Sequence, residues 1–177
     1  MYKAIVRVFP LLLLALAACG DKVKITQADQ ITPYSPQLVN YAAKSGALAA
    51  EIVGDILGTP TDPEEVAAAL RLPGWVTKAR ITTRPGPEVA SNIRLVLIFN
   101  PGFKGPPDNS ACSDPKRLPL APPGDKLTVA AAFCADGKAV SWLVGEGPAP
   151  ATLDDKKFTN LMNQVLLNLL PNRPVGG

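Results

Sequence analysis

Residues 126–144, KLTVAAAFCADGKAVSWLV, contain the strongest fold signal in this chain of 177 residues. The dipeptide Asp136-Gly137 favours the two-residue turn of a β-hairpin, in which both central residues need positive φ angles. It separates two apolar segments, which we predict to be antiparallel strands over residues 126–134 and 138–144. One face of the first strand is shallow, and we expect a helix to lie closely against its side chains: Thr128, Ala130, Ala132 and Cys134.

Two further segments complete the predicted sheet. Residues 94–99, RLVLIF, form an apolar run that is typical of a central strand covered on both faces. Residues 75–83 alternate between polar and apolar side chains, which indicates a strand with one exposed face. Together with the hairpin, these segments predict about four antiparallel strands.

The first predicted helix precedes the sheet. Leu48, Ile52 and Ile56 recur every four residues and predict a helix over residues 38–57. The same segment has a row of small residues at four-residue spacing, which would allow close packing on the sheet: Ala42, Gly46, Ala50, Gly54 and Gly58.

Two more helices are predicted further along the chain. Residues 61–65, TDPEE, combine a polar cap, a proline for the first turn and two acidic side chains, so we expect a short helix over 63–71. Residues 154–170 predict the last helix, because their apolar residues follow helical spacing: Phe158, Leu161, Met162, Val165, Leu166, Leu169 and Leu170.

The predicted fold class is therefore α+β, an antiparallel sheet of about four strands with N- and C-terminal helices packed on it. We expect one domain over residues 37–171, followed by a short tail at 172–177. Residues 19–36 are mostly polar and contain Pro33 and Pro36, so we interpret them as a tether.

Residues 1–18 have the layout of a secretory signal peptide. Lys3 and Arg7 provide a positively charged start, and the run LLLLAL at residues 11–16 leads to small residues. This apolar run is too short to span a bilayer as a helix. We therefore expect these residues to direct export.

The end of that segment, Leu16-Ala17-Ala18-Cys19, resembles the lipobox of bacterial lipoproteins. The resemblance covers only the first twenty residues. It implies cleavage between Ala18 and Cys19 and acyl chains on Cys19. Gly20 stands where an aspartate would favour inner-membrane retention, so the resemblance implies the periplasmic face of the outer membrane of a Gram-negative bacterium. An ordinary signal peptide with a chance cysteine and a short core helix are the alternatives.

Composition argues against several classes of function. The chain has no histidine, which removes the commonest general base and metal ligand, and no recognisable catalytic motif is present. We therefore expect no enzyme activity, no cofactor and no metal site. A net charge of +3 without a basic stripe also argues against nucleic-acid binding.

Cys112 and Cys134 remain once Cys19 is assigned to lipid. An exported protein lies in an oxidising compartment, where two cysteines most simply form a disulfide. The bond would tie a long loop to the first strand of the hairpin and close a loop of about 20 residues.

That loop, residues 100–125, is here called the proline-rich loop, since it contains seven prolines and three glycines. Loops of this length are usually functional or disordered. As a partner-binding element it would use Phe103, Lys104, Lys116 and Arg117. The alternative is a stiff cover over a sheet edge.

The leading functional hypothesis is a membrane-anchored periplasmic lipoprotein that serves as a non-enzymatic accessory or interaction subunit of a cell-envelope assembly. Its expected partners are the membrane, through lipid on Cys19, and an envelope protein. A carrier of a small apolar ligand is the alternative, favoured by an apolar cavity near the alanine-rich strand. A hydrolase with an unfamiliar site is the third hypothesis.

Overall fold

The computed structural model describes residues 22–30, 34–105, 107 and 109–173. The predicted signal peptide, the Ala18–Cys19 cleavage site, the Cys19 lipidation site and tail residues 174–177 lie outside the described residues. The described elements are, in chain order, β1 (Lys24–Gln30), α1 (Pro36–Ala43), β2 (Ala47–Val53), α2 (Pro63–Ala69), β3 (Arg80–Thr82), β4 (Ile93–Phe99), α3 (Asn109–Ser113), a 3-10 turn (Pro115–Arg117), β5 (Lys126–Ala135), β6 (Lys138–Pro148) and α4 (Lys156–Leu169).

The sheet is mixed and has six strands in the order β1-β6-β5-β4-β2-β3. Strands β1, β6, β5 and β4 pair antiparallel with their neighbours, whereas β2 runs parallel to both β4 and β3. The prediction of an antiparallel sheet of about four strands is therefore wrong. Parallel neighbours need a crossover connection, and α2 lies within the crossover from β2 to β3.

The predicted helix over 38–57 is also wrong. Helix α1 ends at Ala43, Gly46 takes a φ of +84°, and the chain then forms β2. Strand β2 is buried on both faces and carries an apolar run, ALAAEIV, which lacks the alternation of a half-exposed strand. Such a run cannot be distinguished from a buried helix by periodicity alone.

The segment expected to form a tether contributes a strand. Residues 24–30 form β1 and pair with β6, with Lys24 opposite Glu146 and Gln30 opposite Ser141. The tether interpretation of 19–36 therefore does not hold for this part. A polar sequence suits an edge strand, because only one side of β1 is paired within the described sheet.

Several predicted elements are confirmed. Strands β5 and β6 flank the Asp136-Gly137 turn, whose residues have φ angles of +50° and +76°. Strand β4 is central, and α2 and α4 lie where predicted. Within the predicted strand 75–83, only Arg80–Thr82 is a strand.

Helices α1, α2 and α4 contribute to one hydrophobic cluster on one face of the sheet, which we call the helical face. The cluster contains large side chains from both layers, among them Leu95, Leu97, Phe99, Phe133, Phe158, Leu161 and Leu166. The rings of Phe99 and Phe158 lie 6.3 Å apart between their centroids. Because every one of these side chains is buried, this cluster is the main core of the described residues.

The C-terminal end of α4 is fixed by side chains from three distant parts of the chain. Ser141 Oγ donates to the carbonyl of Leu169 at 2.6 Å, and Trp75 Nε1 donates to that of Leu170 at 3.1 Å. Tyr34 donates its hydroxyl to the carbonyl of Pro171 at 2.6 Å, and burial raises the pKa of Tyr34 above its usual value. These bonds satisfy carbonyls that a helix end otherwise leaves without intrahelical partners.

The ends of the strands form two opposite sides of the sheet, which we call the entry edge and the hairpin edge. At the entry edge, β1 and β5 begin and β2, β3, β4 and β6 end. At the opposite hairpin edge lie the Asp136-Gly137 turn and the starts of β2, β3 and β4. The proline-rich loop leaves and re-enters the sheet at the entry edge, since it joins β4 to β5.

Candidate functional site

The proline-rich loop lies over the face of the sheet opposite the helices, which we call the loop face. Ala111 and Cys112 from α3 are buried against the alanine side of the hairpin and against β4, and Phe103 and Leu118 pack at the margin. The helix predicted over residues 38–57 does not form and does not cover this surface, which short α3 and the loop around it cover instead. The loop covers the sheet, as the alternative interpretation expected, but over a face rather than over a sheet edge. Side chains as small as Ala130 let a loop approach the sheet closely enough to exclude water.

Covalent and polar contacts hold the middle of the loop. Cys112 and Cys134 form the expected disulfide, with their Cα atoms 5.7 Å apart and a sequence separation of 22. Arg94 Nη2 donates to the carbonyl of Cys112 at 2.6 Å, and the backbone N–H of Ala139 donates to Asn109 Oδ1 at 3.0 Å. The loop is therefore attached to β4, β5 and β6.

The base of the loop is closed by backbone hydrogen bonds. Gly102 donates to the carbonyl of Pro119, and Ala121 donates to the carbonyl of Asn100, both at 2.7 Å. Asn100 has a φ of +49°, and its side-chain amide donates to the carbonyl of Asp55 at 2.7 Å. With its two ends paired and its interior packed, the segment is compact.

The structure distributes the four predicted interaction residues over different environments. Phe103 is half-buried and belongs to the cover, whereas Lys104, Lys116 and Arg117 are exposed. Arg117 Nε lies 2.8 Å from Asp114 Oδ2, in an exposed ion pair that contributes little stability. The four residues therefore do not form a single cluster of positive charge.

Lys116 lies on the rim of a shallow groove of about 330 Å³ between β2, the start of α2 and the residues after β3. The charges around this groove are largely paired: Arg84 lies 2.7 Å from Asp62, and Arg94 lies 3.4 Å from Glu51. This arrangement resembles an ion-paired surface more than a reactive cleft.

Glu64, close to this groove, joins α2 to the end of β3. Its carboxylate accepts hydrogen bonds from the Thr82 hydroxyl and from the hydroxyl and backbone N–H of Thr83, at 2.6–2.8 Å. Burial alone would raise the pKa of Glu64, but the bonds from Thr83 and Thr82 outweigh it and lower the pKa. A carboxylate held in its charged form by three donors serves attachment rather than proton transfer.

The residues that sequence reasoning overlooked form an exposed segment beside these four. Residues 119–124, PLAPPG, are all exposed, and we call them the proline-rich ridge. Leu120 has 45% of its surface exposed and is one of three large apolar side chains exposed to that degree in the described part of the chain. The signal was present in the prolines themselves, because a residue that precedes proline is restricted to extended conformations.

Other chemistry finds little support in the described residues. Across residues 22–30, 34–105, 107 and 109–173, no group of three or more histidine, cysteine, aspartate or glutamate residues could hold a metal ion. The same residues contain no helix with the length and hydrophobicity needed to span a membrane. The alanine surface, where an apolar cavity would favour a carrier, is occupied by the side chains of the proline-rich loop.

No family model, no curated protein and no solved structure matches this chain.

Proposed function

We propose that the protein is a lipoprotein anchored at the periplasmic face of the outer membrane, where it acts as a non-enzymatic interaction subunit of a cell-envelope assembly. Its docking element is the proline-rich ridge. The observation that carries this proposal is an exposed apolar segment, residues 119–124, on a loop whose opposite side is buried and fixed.

The backbone of the ridge favours recognition by a protein groove. Leu118, the residue immediately before the ridge, has φ −71° and ψ 141°, close to the polyproline II conformation. Each proline of the ridge fixes its own φ and restricts the residue before it to extended conformations. A segment that is already extended loses little conformational entropy when it enters an aromatic-lined groove.

The ridge is also held at both ends. At its start, the carbonyl of Pro119 accepts a hydrogen bond of 2.7 Å from the backbone N–H of Gly102. Just after its end, the carbonyl of Asp125 accepts one of 3.1 Å from the backbone N–H of Ala149. The exposed prolines between these bonds are therefore presented by a fixed frame. Such pre-organisation raises affinity by lowering the entropic cost of binding.

The proposal is tested by crosslinking the protein in cells, with mass spectrometry of the captured partner. We expect a reproducible envelope protein linked through Lys104 or Lys116, and we expect Leu120→Asp to abolish its capture. Tyr41→Asp is the matched control, because Tyr41 is 54% exposed on α1, away from the ridge. Equal capture by both variants, or no partner at native abundance, would contradict the proposal.

The membrane anchor is tested separately with Cys19→Ser. We expect this variant to leave the membrane fraction, since the acyl chains supply the anchoring free energy. A variant that remains in the membrane fraction would refute anchoring through Cys19.

A further inference from the structure

We propose that the entry edge of the sheet lies directly against the phospholipid surface, which it contacts through Lys22, Lys24 and the residues around them. This inference rests on the proposed lipidation of Cys19. The first argument is the length of chain available, since only three residue steps separate Cys19 from Lys22. A fully extended chain covers about 3.5 Å per residue, so Lys22 lies within about 10 Å of the lipidated residue.

The second argument is that the chain is already part of the fold at this point. Val23 and Ile25 are half-buried and pack against the helical-face cluster, and Lys24 pairs with Glu146 in the sheet. Residues after Lys22 therefore add no slack to the connection. The attachment point is fixed where β1 begins, at the entry edge.

The third argument compares this connection with the height of the sheet. Strand β6 has 11 residues and spans about 35 Å from one edge to the other. A connection of about 10 Å is too short to let the domain turn over and bring its hairpin edge to the membrane. The orientation of the domain is thus set by its N-terminal connection.

The entry edge also has a surface suited to phospholipid headgroups. Two open depressions of about 600 Å³ each lie on either side of Val23. One is bordered by three lysines and two acidic residues: Lys22, Lys24, Lys126, Asp125 and Glu146. Lys126 Nζ lies 2.7 Å from Glu146 Oε1, so Lys22 and Lys24 supply the excess positive charge. The other depression extends along the polar side of α4 to Leu167, which is 49% exposed. Lysines can place their ammonium groups among lipid phosphates while their methylene chains lie against apolar surface.

The lysines provide an internal comparison for the test. Three exposed lysines lie at the entry edge: Lys22, Lys24 and Lys126. Three other exposed lysines lie at the hairpin edge. Lys44 and Lys78 shortly precede β2 and β3, and Lys138 is the first residue of β6.

The experiment uses the lipidated full-length mature protein in vesicles of phosphatidylethanolamine and phosphatidylglycerol. Lysines are acetylated with a water-soluble reagent, and the modification of each is compared with that in the Cys19→Ser variant mixed with the same vesicles. We expect at least a threefold loss of reactivity at Lys22, Lys24 and Lys126, with no change at the hairpin-edge lysines. Equal reactivity in both sets, or protection of the hairpin-edge set, would overturn the inference.

A second variant tests whether the short connection is the cause. Insertion of twenty glycine and serine residues between Asp21 and Lys22 adds about 25 Å of flexible chain and leaves Cys19 in place. We expect the protection at the entry edge to disappear, and its persistence would refute the short connection as the reason for the orientation. The mass of the N-terminal peptide separates the two proposals: an unacylated Cys19 contradicts the proposed anchor, whereas an acylated protein without differential protection contradicts the orientation alone.

Discussion

The helical face of the sheet buries large aliphatic and aromatic side chains, whereas the loop face buries mainly small ones. Phe158 and Leu161 fill the space between α4 and the sheet, but Ala111 and Cys112 are the buried residues of α3 on the other side. Hydrophobic stabilisation scales with the apolar area removed from water, so the two covers differ in strength.

Covalent and polar attachments compensate for the smaller apolar area under the loop. A disulfide, the Arg94 bond to the carbonyl of Cys112, and the backbone pairing at the loop base replace the missing apolar area. The comparison indicates that a segment too irregular to bury large side chains can still close a sheet face when its middle and its ends are attached.

The largest expected effect concerns the helical face. Phe158→Ala should lower the free energy of unfolding by about 4 kcal/mol, because it leaves a cavity in the main core. Urea denaturation measures this loss. Leu167→Ala is the control on the same helix and should change the free energy by less than about 0.5 kcal/mol, since Leu167 is half-exposed. A loss below about 1 kcal/mol in Phe158→Ala would show that α4 is not the main cover.

The next prediction concerns the loop face. The double variant Cys112→Ala/Cys134→Ala should lose about 3 kcal/mol of stability, through the entropy that the disulfide removes from the unfolded chain. Hydrogen exchange should also accelerate at residues 109–118 more than in α4. Equal acceleration in both regions would contradict the conclusion that the disulfide acts mainly on the cover of the loop face.

A smaller effect is expected where the helical face depends on a hydrogen bond. Ser141→Ala removes the buried hydroxyl that donates to Leu169, and the cost should be about 1–2 kcal/mol because the carbonyl loses its donor. The melting temperature should fall by about 3–6 °C. Ser91→Ala, at an exposed position, should leave the melting temperature unchanged.

The smallest effect depends on pH. The pKa of Glu64 is lower in the folded protein than its ordinary value of 4.5, so the carboxylate contributes stability above that pH. The contribution is lost as the pH falls through the lowered pKa. We would measure urea midpoints at pH 7, 5 and 3. The midpoint of Glu64→Gln should be lower than that of the wild type at pH 7 and should approach the wild-type value as the pH falls to 3. Glu65→Gln, at the next, exposed position, should match the wild type throughout.

The elements that could be predicted from sequence are those whose pattern has one interpretation. Asp136-Gly137 specifies a tight turn, and the apolar spacing from Phe158 to Leu169 suits only a helix. The parallel part of the sheet could not be predicted, because β2 is buried on both faces and its apolar residues match helical spacing as well. Because β2 was predicted to be part of a helix, the parallel crossover from β2 through α2 to β3 could not be predicted either.

The candidate site was predictable only in part. Two cysteines in a chain predicted to be exported were sufficient to predict their bond, and the seven prolines marked the loop. The direction in which the loop folds depends on long-range contacts, such as that of Arg94 with Cys112, which no local pattern encodes. Polar β1 was overlooked for the same reason, since pairing with β6 rather than its own sequence makes it a strand.

The hydrogen bonds at the C-terminal end of α4 have a consequence for the order in which the chain can fold. Tyr34 hydrogen-bonds the carbonyl of Pro171, and Trp75 that of Leu170. Thr26 hydrogen-bonds the carbonyl of Val144, 118 positions later in the chain. The ribosome makes these partners last, so the main core cannot close until synthesis is nearly complete. Contacts this distant in sequence also form slowly. The nascent polypeptide therefore stays open for most of its synthesis.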